Sequence, residues 1–323
     1  MKLFRAISLL AVLIVPAALH AEKLTLAHVA INPGQGLFWI ARDSGILAKY
    51  GFTADVVLIP GTPRTVQALI AGDLDYIVAG TAAVLRARMQ GADVVMLASP
   101  SAFSSQRVLV KADSTLGGLK DLKGKLVGVT QFGSAGDTFL RTALKKVGMK
   151  ETDVTVLQMG GTPGVTQALE AGRIEVGVLG ESGMLLIFQG KARQLKGASA
   201  RELDIPGLDG PLTTTERKLK RDRGAALRFV QAYVEAIHYF KTNKAGTVRA
   251  LQKYMRGLSE QQVGAWVDDL KDGLEASPYP DDAGLRSELE QVNAPKSQSP
   301  AYFVDRSVLD EIKKSGFIER LYK

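Results

Sequence analysis

A 25-residue segment of this chain has a second, similar copy. Gly61 to Leu85 reads GTPRTVQALIAGDLDYIVAGTAAVL, and Gly161 to Leu185 reads GTPGVTQALEAGRIEVGVLGESGML. The copies lie 100 residues apart, align without a gap and share 11 of 25 positions. That period is too long for the stacked units of a solenoid, about 20–50 residues each, so two copies imply two similar lobes. A length of 323 residues has room for them, at roughly 100–200 residues per domain.

Each copy reads as β-α-β-α-β. The first has a strand near 24–30, a helix near 37–49 stopped by Gly51, and a strand at 54–59. Thr62 as N-cap and Pro63 as first helical residue then open a helix that Gly72 ends. A buried strand follows from Tyr76 to Ala79. The second copy repeats the order: a strand at 125–130, a helix near 135–147 ended by Gly148, a strand at 154–158, a helix from Pro163, and a strand at 175–179. Strands alternating with helices make the fold class α/β and predict mainly parallel sheets with both faces covered. Ligands of such sheets sit at the ends of the strands, here a cleft between two pseudo-symmetric lobes.

From about Thr213 the pattern turns helical. Ala226, Phe229, Val230, Tyr233, Val234, Ile237 and Phe240 recur at helical spacing and mark one buried face. Further helices are predicted at 247–256, 259–273, 281–292 and 305–315. The expected division is 22–106 for the first part of lobe 1, 107–210 for lobe 2, and 211–323 for the completion of lobe 1 with a helical C-terminal tail. This tail is expected to cover the first-lobe sheet and to carry no chemistry of its own.

Residues 1–21 read as a cleavable secretory signal: Lys2 and Arg5, then the weakly polar to apolar run Ala6 to Ala18, then small residues. Its removal takes the formal charge from +8 to +6. With no Cys there is no disulfide framework, no thiolate metal site, no Cys nucleophile and no lipidated N-terminal Cys. His20, His28 and His238 have no metal-ligand spacing, so neither a metal nor a cofactor is expected. The basic run Arg217 to Arg223 lacks interleaved aromatic residues and reads as a solvated helix face, not a nucleic-acid site.

Pieces that mimic enzymes fail on detail. Gly34-Gln35-Gly36 sits where a dinucleotide fingerprint would, but Trp39 occupies the third small-residue position. No Gly-Lys-Ser/Thr phosphate loop occurs, and neither His28, in a strand, nor His238, on a packing helix, is placed for a serine triad.

The string from Gly36 to Phe52 (GLFWIARDSGILAKYGF) resembles the substrate-binding proteins of ABC importers in the nitrate/sulfonate/taurine group. So do Ala71-Gly-Asp-Leu-Asp-Tyr, Gly91-Ala-Asp, the segment from Asp121 to Val129, the stretch from Phe132 to Asp137, and the tail from Ser315 to Tyr322. The resemblance covers nearly the whole chain after the signal. It implies a type II periplasmic binding protein fold with hinge strands, expected near 106–111 and 198–213, and ligand capture without catalysis. It further implies a free periplasmic monomer that delivers a small organic anion or zwitterion (sulfonate, taurine-like, carboxylate or pyrimidine-like) to an ABC permease and its ATPase subunits. Contact with the membrane is then through the permease alone. Two alternatives share the fold: an enzyme acting on a small anionic metabolite, and a ligand sensor for a membrane partner.

Four helix starts are candidate anion sites, because their first N–H groups lack partners and the helix dipole favours negative charge there. They are Gly61-Thr62, Gly80-Thr81, Gly133-Ser134 and Gly161-Thr162. Plain capping by the hydroxyls is the competing role. Asp137 has two readings of equal weight: acceptor for a ligand amine, or partner of Ser134 in a capping box. Asn32 and Gln35 are candidate polar contacts in the first loop. Phe38, Phe103 and Phe132 are candidate apolar contacts. Ser101, where the chain leaves the first lobe, and Glu181, equivalent to Thr81, complete the set.

Overall fold

A computed structural model describes residues 21–59, 61–295 and 297–323. The expected signal segment therefore lies outside the described residues, apart from Ala21. Ten strands form two five-stranded sheets. The first holds β1 (Glu22–His28), β2 (Phe52–Leu58), β3 (Tyr76–Val78) and β4 (Val94–Ala98). The second holds β5 (Arg107–Lys111), β6 (Leu126–Val129), β7 (Thr155–Gln158), β8 (Val176–Leu179) and β9 (Ala192–Ser199). The last strand, β10 (Leu212–Thr215), returns to the first sheet.

The strand orders are β2-β1-β3-β10-β4 and β7-β6-β8-β5-β9. The duplication seen in the sequence is thus a duplication of topology. Neither sheet is purely parallel, however. β1 pairs in parallel with β2 and β3, and β6 with β7 and β8. β10 is antiparallel to β3 and β4, and β5 to β8 and β9. The reason lies in the two crossings: β5 and β10 are the strands the chain enters directly from the other lobe, so no helix reverses it before they pair.

The crossing segments, 99–106 and 200–211, run against each other. Phe103 and Pro206 form an antiparallel bridge, Gly207 N donates to Ala102 O at 3.1 Å, and Ala200 N to Gln106 O at 3.0 Å. The first crossing lies just before the expected 106–111, which β5 occupies within the second sheet.

Glycine punctuation explains the helix ends. Gly72, at φ 90°, caps the helix Thr62–Ala71, and Gly148, at φ 77°, follows the helix Ala135–Lys146. The expected helix over 37–49 is two helices, Leu37–Asp43 and Ile46–Lys49, because Gly45 adopts φ 81° between them. All the residues singled out on the tail helix Arg223–Thr242 are buried. Their face packs on the helix Leu37–Asp43, and Phe229 stacks on Tyr76 with ring centroids 3.9 Å apart. The basic run is less solvated than expected. Lys218 is buried and reaches Asp75 Oδ1 at 2.7 Å. Among the described residues no helix is long and apolar enough to cross a membrane.

Candidate functional site

A cavity of about 530 Å³ opens beside the crossing segments. Its wall comes from four sources: the loop after β1, both crossings, the helix starts of the second sheet, and the tail helix Glu260–Lys271. The tail contribution corrects the expectation that the tail has no chemistry. Asp269 and Leu270 line the cavity, and Trp266, one turn earlier, donates from Nε1 to Glu181 Oε2 at 2.9 Å.

Six candidates line it: Asn32, Gln35, Ser101, Phe103, Thr162 and Glu181. The amide oxygens of the first loop are already committed. Asn32 Oδ1 accepts from Gln35 N at 2.9 Å, and Gln35 Oε1 from Val29 N and Ala30 N at 2.9 and 3.0 Å. Their NH₂ ends are the groups with capacity to spare. Ser101 Oγ donates to Phe103 O at 2.9 Å and so shapes the crossing that presents the Phe103 ring. Arg201 sits 5.4 Å from the centroid of that ring.

The other candidates lie elsewhere. Phe38 is corrected outright: it is a core residue, 1% exposed, with the rings of Phe229 and Tyr233 about 6 Å away. Its helix is sandwiched between sheet and tail, so residues 37–41 are all buried. Thr62 Oγ1 accepts from Gly80 N at 3.4 Å, and Thr81 Oγ1 donates to Leu208 O at 3.1 Å. These contacts tie the starts at Gly61-Thr62 and Gly80-Thr81 to neighbouring backbone, and neither start lines the cavity. Phe132 is 57% exposed and also lies off it, as does Gly161. Of the four helix starts, only those of the second lobe border the cavity, through Ala135, Gly136 and Thr162.

At Asp137 half of the expected capping box forms: Ser134 is the N-cap, but the Asp137 carboxylate reaches Gly133 N and not Ser134 N. Ser134 Oγ accepts from Asp137 N at 3.3 Å, Asp137 Oδ2 accepts from Gly133 N at 2.8 Å, and Oδ1 pairs with Arg141 Nε at 3.1 Å. Both carboxylate oxygens are taken and the residue is buried. Asp137→Ala is therefore expected to cost about 1–2 kcal/mol in urea unfolding while leaving solute affinity unchanged. A tenfold loss of affinity at unchanged stability would return Asp137 to the ligand.

The cavity's charge is the feature that residue patterns did not reveal. Its wall carries four carboxylates, Glu181, Glu202, Asp209 and Asp269, against two guanidiniums, Arg107 and Arg201. Arg107, on β5, is buried and shared: its nitrogens lie 3.4 Å from Asp269 Oδ2 and 3.8 Å from Glu181 Oε1. Burial first, and then the charge of Asp209, push the Glu181 carboxyl up to about 8 against the pull of Arg107 and Trp266. Burial also raises Asp209 to about 6, opposed by Ser105 and Arg107. Behind them Glu288 is pushed up to about 7 by burial, although Leu208 N donates to it. Among the described residues, no cluster of three His, Asp or Glu side chains has a metal-holding arrangement. Neither His28 nor His238 lines the cavity.

Known proteins place this architecture. A 160-residue stretch is 35% identical to a Brucella abortus (strain 2308) protein described as a binding protein; it covers 49% of this chain and 48% of that one, so the chain matches about half the relative's length. The periplasmic aliphatic sulphonate binding protein SsuA from Escherichia coli superposes with a TM-score of 0.72 at 20% identity, over 88% of this chain and 92% of its own. A mutant of the desulfurization enzyme DszB, solved with biphenyl-2-sulfinic acid, superposes with a TM-score of 0.69 at 16% identity, over 91% and 99%. The fold is therefore that of the periplasmic binding proteins, a fold that an enzyme also uses. The family model described as NMT1/THI5 like matches residues 32–245, which contain both copies of the repeat, both crossings and Glu181. On that match the chain belongs to the NMT1/THI5-like family.

Proposed function

We propose that this protein is the periplasmic solute-binding component of an ABC importer, which captures a small nitrogen-bearing zwitterion between its lobes and hands it to a permease. The observation that carries the reading is the cavity itself, which both lobes and the tail wall together. Its volume suits a metabolite-sized solute. The paired crossing segments are the natural hinge, and closure about them buries the solute. The excess of carboxylates argues for a solute with N–H donors or a cationic nitrogen, and the guanidiniums and amide NH₂ groups leave room for an acidic end. A purely anionic sulfonate fits less well than a taurine-like zwitterion. Catalysis is the weaker reading, because the chain has no Cys and neither described His reaches the cavity.

The full chain, exported to a bacterial periplasm and purified without denaturation, is expected to carry its solute. Native mass spectrometry identifies the solute, calorimetry measures its affinity, and small-angle scattering shows compaction on binding. A Cβ at Gly136 would lie 3.3 Å from both Gln106 Oε1 and Val178 O. Gly136→Leu therefore crowds Gln106 and Val178, which also line the cavity, and is expected to weaken binding at least tenfold, about 1.4 kcal/mol. Unchanged affinity in that variant, or no compaction with a tightly bound solute, would overturn the assignment.

A further inference from the structure

We propose that Glu181 and Asp209 form a proton-exchanging subsite for a cationic nitrogen of the solute, with Glu181 the residue that sets selectivity. This rests on reading the cavity as the solute site. Glu181 opens the turn Glu181–Gly183 directly after β8 and is only 7% exposed. Trp266 fixes one of its oxygens, Oε2. The other, Oε1, is buried in the cavity wall with no hydrogen-bond partner among the described residues. The closest cation, Arg107 Nη2, stands 3.8 Å from it, too far for a hydrogen bond. That guanidinium is turned instead toward Asp269, with Nη1 and Nη2 at 3.4 and 3.5 Å from Oδ2.

A buried acceptor left without a donor is costly, and native structures rarely tolerate one without a reason. Here the missing donor belongs to whatever occupies the cavity. The surrounding charges say what kind of donor it is. Facing Glu181 are Arg107 from β5, Trp266 and Asp269 from the helix Glu260–Lys271, and Asp209 from the second crossing; Arg201 and Glu202 lie elsewhere on the wall, and Glu288 lies behind Asp209. One guanidinium cannot neutralise Glu181, Asp209 and Asp269 together. In the empty cavity the balance is made by a proton on the Glu181–Asp209 pair, in keeping with the raised carboxyl of Glu181.

A solute ammonium, amidinium or guanidinium then replaces that proton. One positive charge enters, one proton leaves to solvent, and the charge of the cavity is unchanged. A sulfonate with no nitrogen offers no such exchange. The linkage has a definite sign. Below pH about 8 the incoming cation must displace the proton, so affinity rises up to about tenfold per pH unit; above it affinity is flat.

The two tryptophans, Trp39 and Trp266, make the test direct. In the ligand-free, full-length chain, the ¹⁵N-indole resonance of Trp266 is expected to titrate with a midpoint near pH 8. Glu181→Gln should abolish that titration, and Asp209→Asn should move it to lower pH. The Trp39 resonance, assigned through Trp39→Phe, serves as the internal control. Benzamidinium and taurine are expected to shift the Trp266 resonance of the wild type, about tenfold more tightly at pH 7.5 than at 6.5, and to release protons in calorimetry. Ethanesulfonate is expected to do neither. A Trp266 midpoint below pH 6, an unaltered titration in Glu181→Gln, or ethanesulfonate binding as tightly as taurine would each overturn the subsite. If the co-purified solute binds Glu181→Gln unchanged at both pH values, the subsite falls and solute capture stands. If nothing co-purifies and no probe binds, capture itself falls and takes the subsite with it.

Discussion

Phe229→Ala is expected to destabilise the protein by about 3–5 kcal/mol, the range for removing a buried aromatic side chain. Phe229 is 1% exposed and sits where sheet, first helix and tail meet. Its ring stacks on Tyr76 at 3.9 Å and lies near Phe38 and Phe52, at 6.2 and 6.1 Å. Truncation leaves a hole bounded by three rings that belong to separate elements, two of them strands, so no single side-chain rotation fills it. Urea unfolding should show a lower midpoint at unchanged slope. A loss below about 1 kcal/mol would mean that the aromatic cluster repacks. Solute affinity of the folded variant is expected to be unaltered, because Phe229 does not line the cavity.

The second large effect is expected at Arg107. Arg107→Met keeps the unbranched stem of the side chain and removes the guanidinium charge that Glu181, Asp209 and Asp269 share. Where Glu181 is ionised, removing its buried partner typically costs about 3–5 kcal/mol, because the carboxylate stays buried and uncompensated; Asp269, whose side chain is 39% exposed, adds less. The cost should depend on pH with a definite sign. Glu181 has a folded-state pKa above its unfolded value, at about 8, so the folded state holds a proton that the unfolded chain has lost by mid-acid pH. Its contribution to stability is therefore full at low pH and declines as pH rises toward 8. Without Arg107 the ionised form is still less favoured. The destabilisation by Arg107→Met is thus expected to be largest at pH 8.5 and clearly smaller at pH 6.5, where Glu181 carries its proton in both proteins. A pH-independent loss would show that Arg107 acts through packing alone, as its neighbour Met184 would allow.

Much of the fold could be read from local pattern. The helix over 62–71 was legible from Pro63 near its start and Gly72 at its end, although its N-cap is Gly61 and Thr62, expected to cap, is the first helical residue; the helix Ala135–Lys146 was legible from Gly148 beyond it. Each signal acts within a turn or two of backbone, where sterics and hydrogen bonding decide. The break at Ser44-Gly45 was less visible, because an isolated glycine inside a helical pattern is tolerated and does not by itself end a helix. The site was less legible than the fold. Thr62 and Thr81 look like ligand-facing helix starts, yet their hydroxyls bond to Gly80 and Leu208. Phe38 has the residue type of a cleft aromatic but the burial of a core one. Asn32, Gln35, Ser101 and Phe103 were found because chain position alone, beside the first strand end or at the exit from the first lobe, predicts the cleft.

The sequence by itself determined that there are two lobes, which segments are strands and helices, and where most of them stop. Its repeat and its glycines encode those choices within short stretches of chain. Only the tertiary structure decided that β5 and β10 cross into the opposite sheets as antiparallel strands, and that the tail helix Glu260–Lys271 closes the cavity. The bond from Trp266 to Glu181 spans 85 positions, and the pair of Arg107 with Asp269 spans 162. No periodicity reaches that far. The charge of the cavity is a sum over side chains that only packing brings together, and it was fixed when the chain folded back across both lobes.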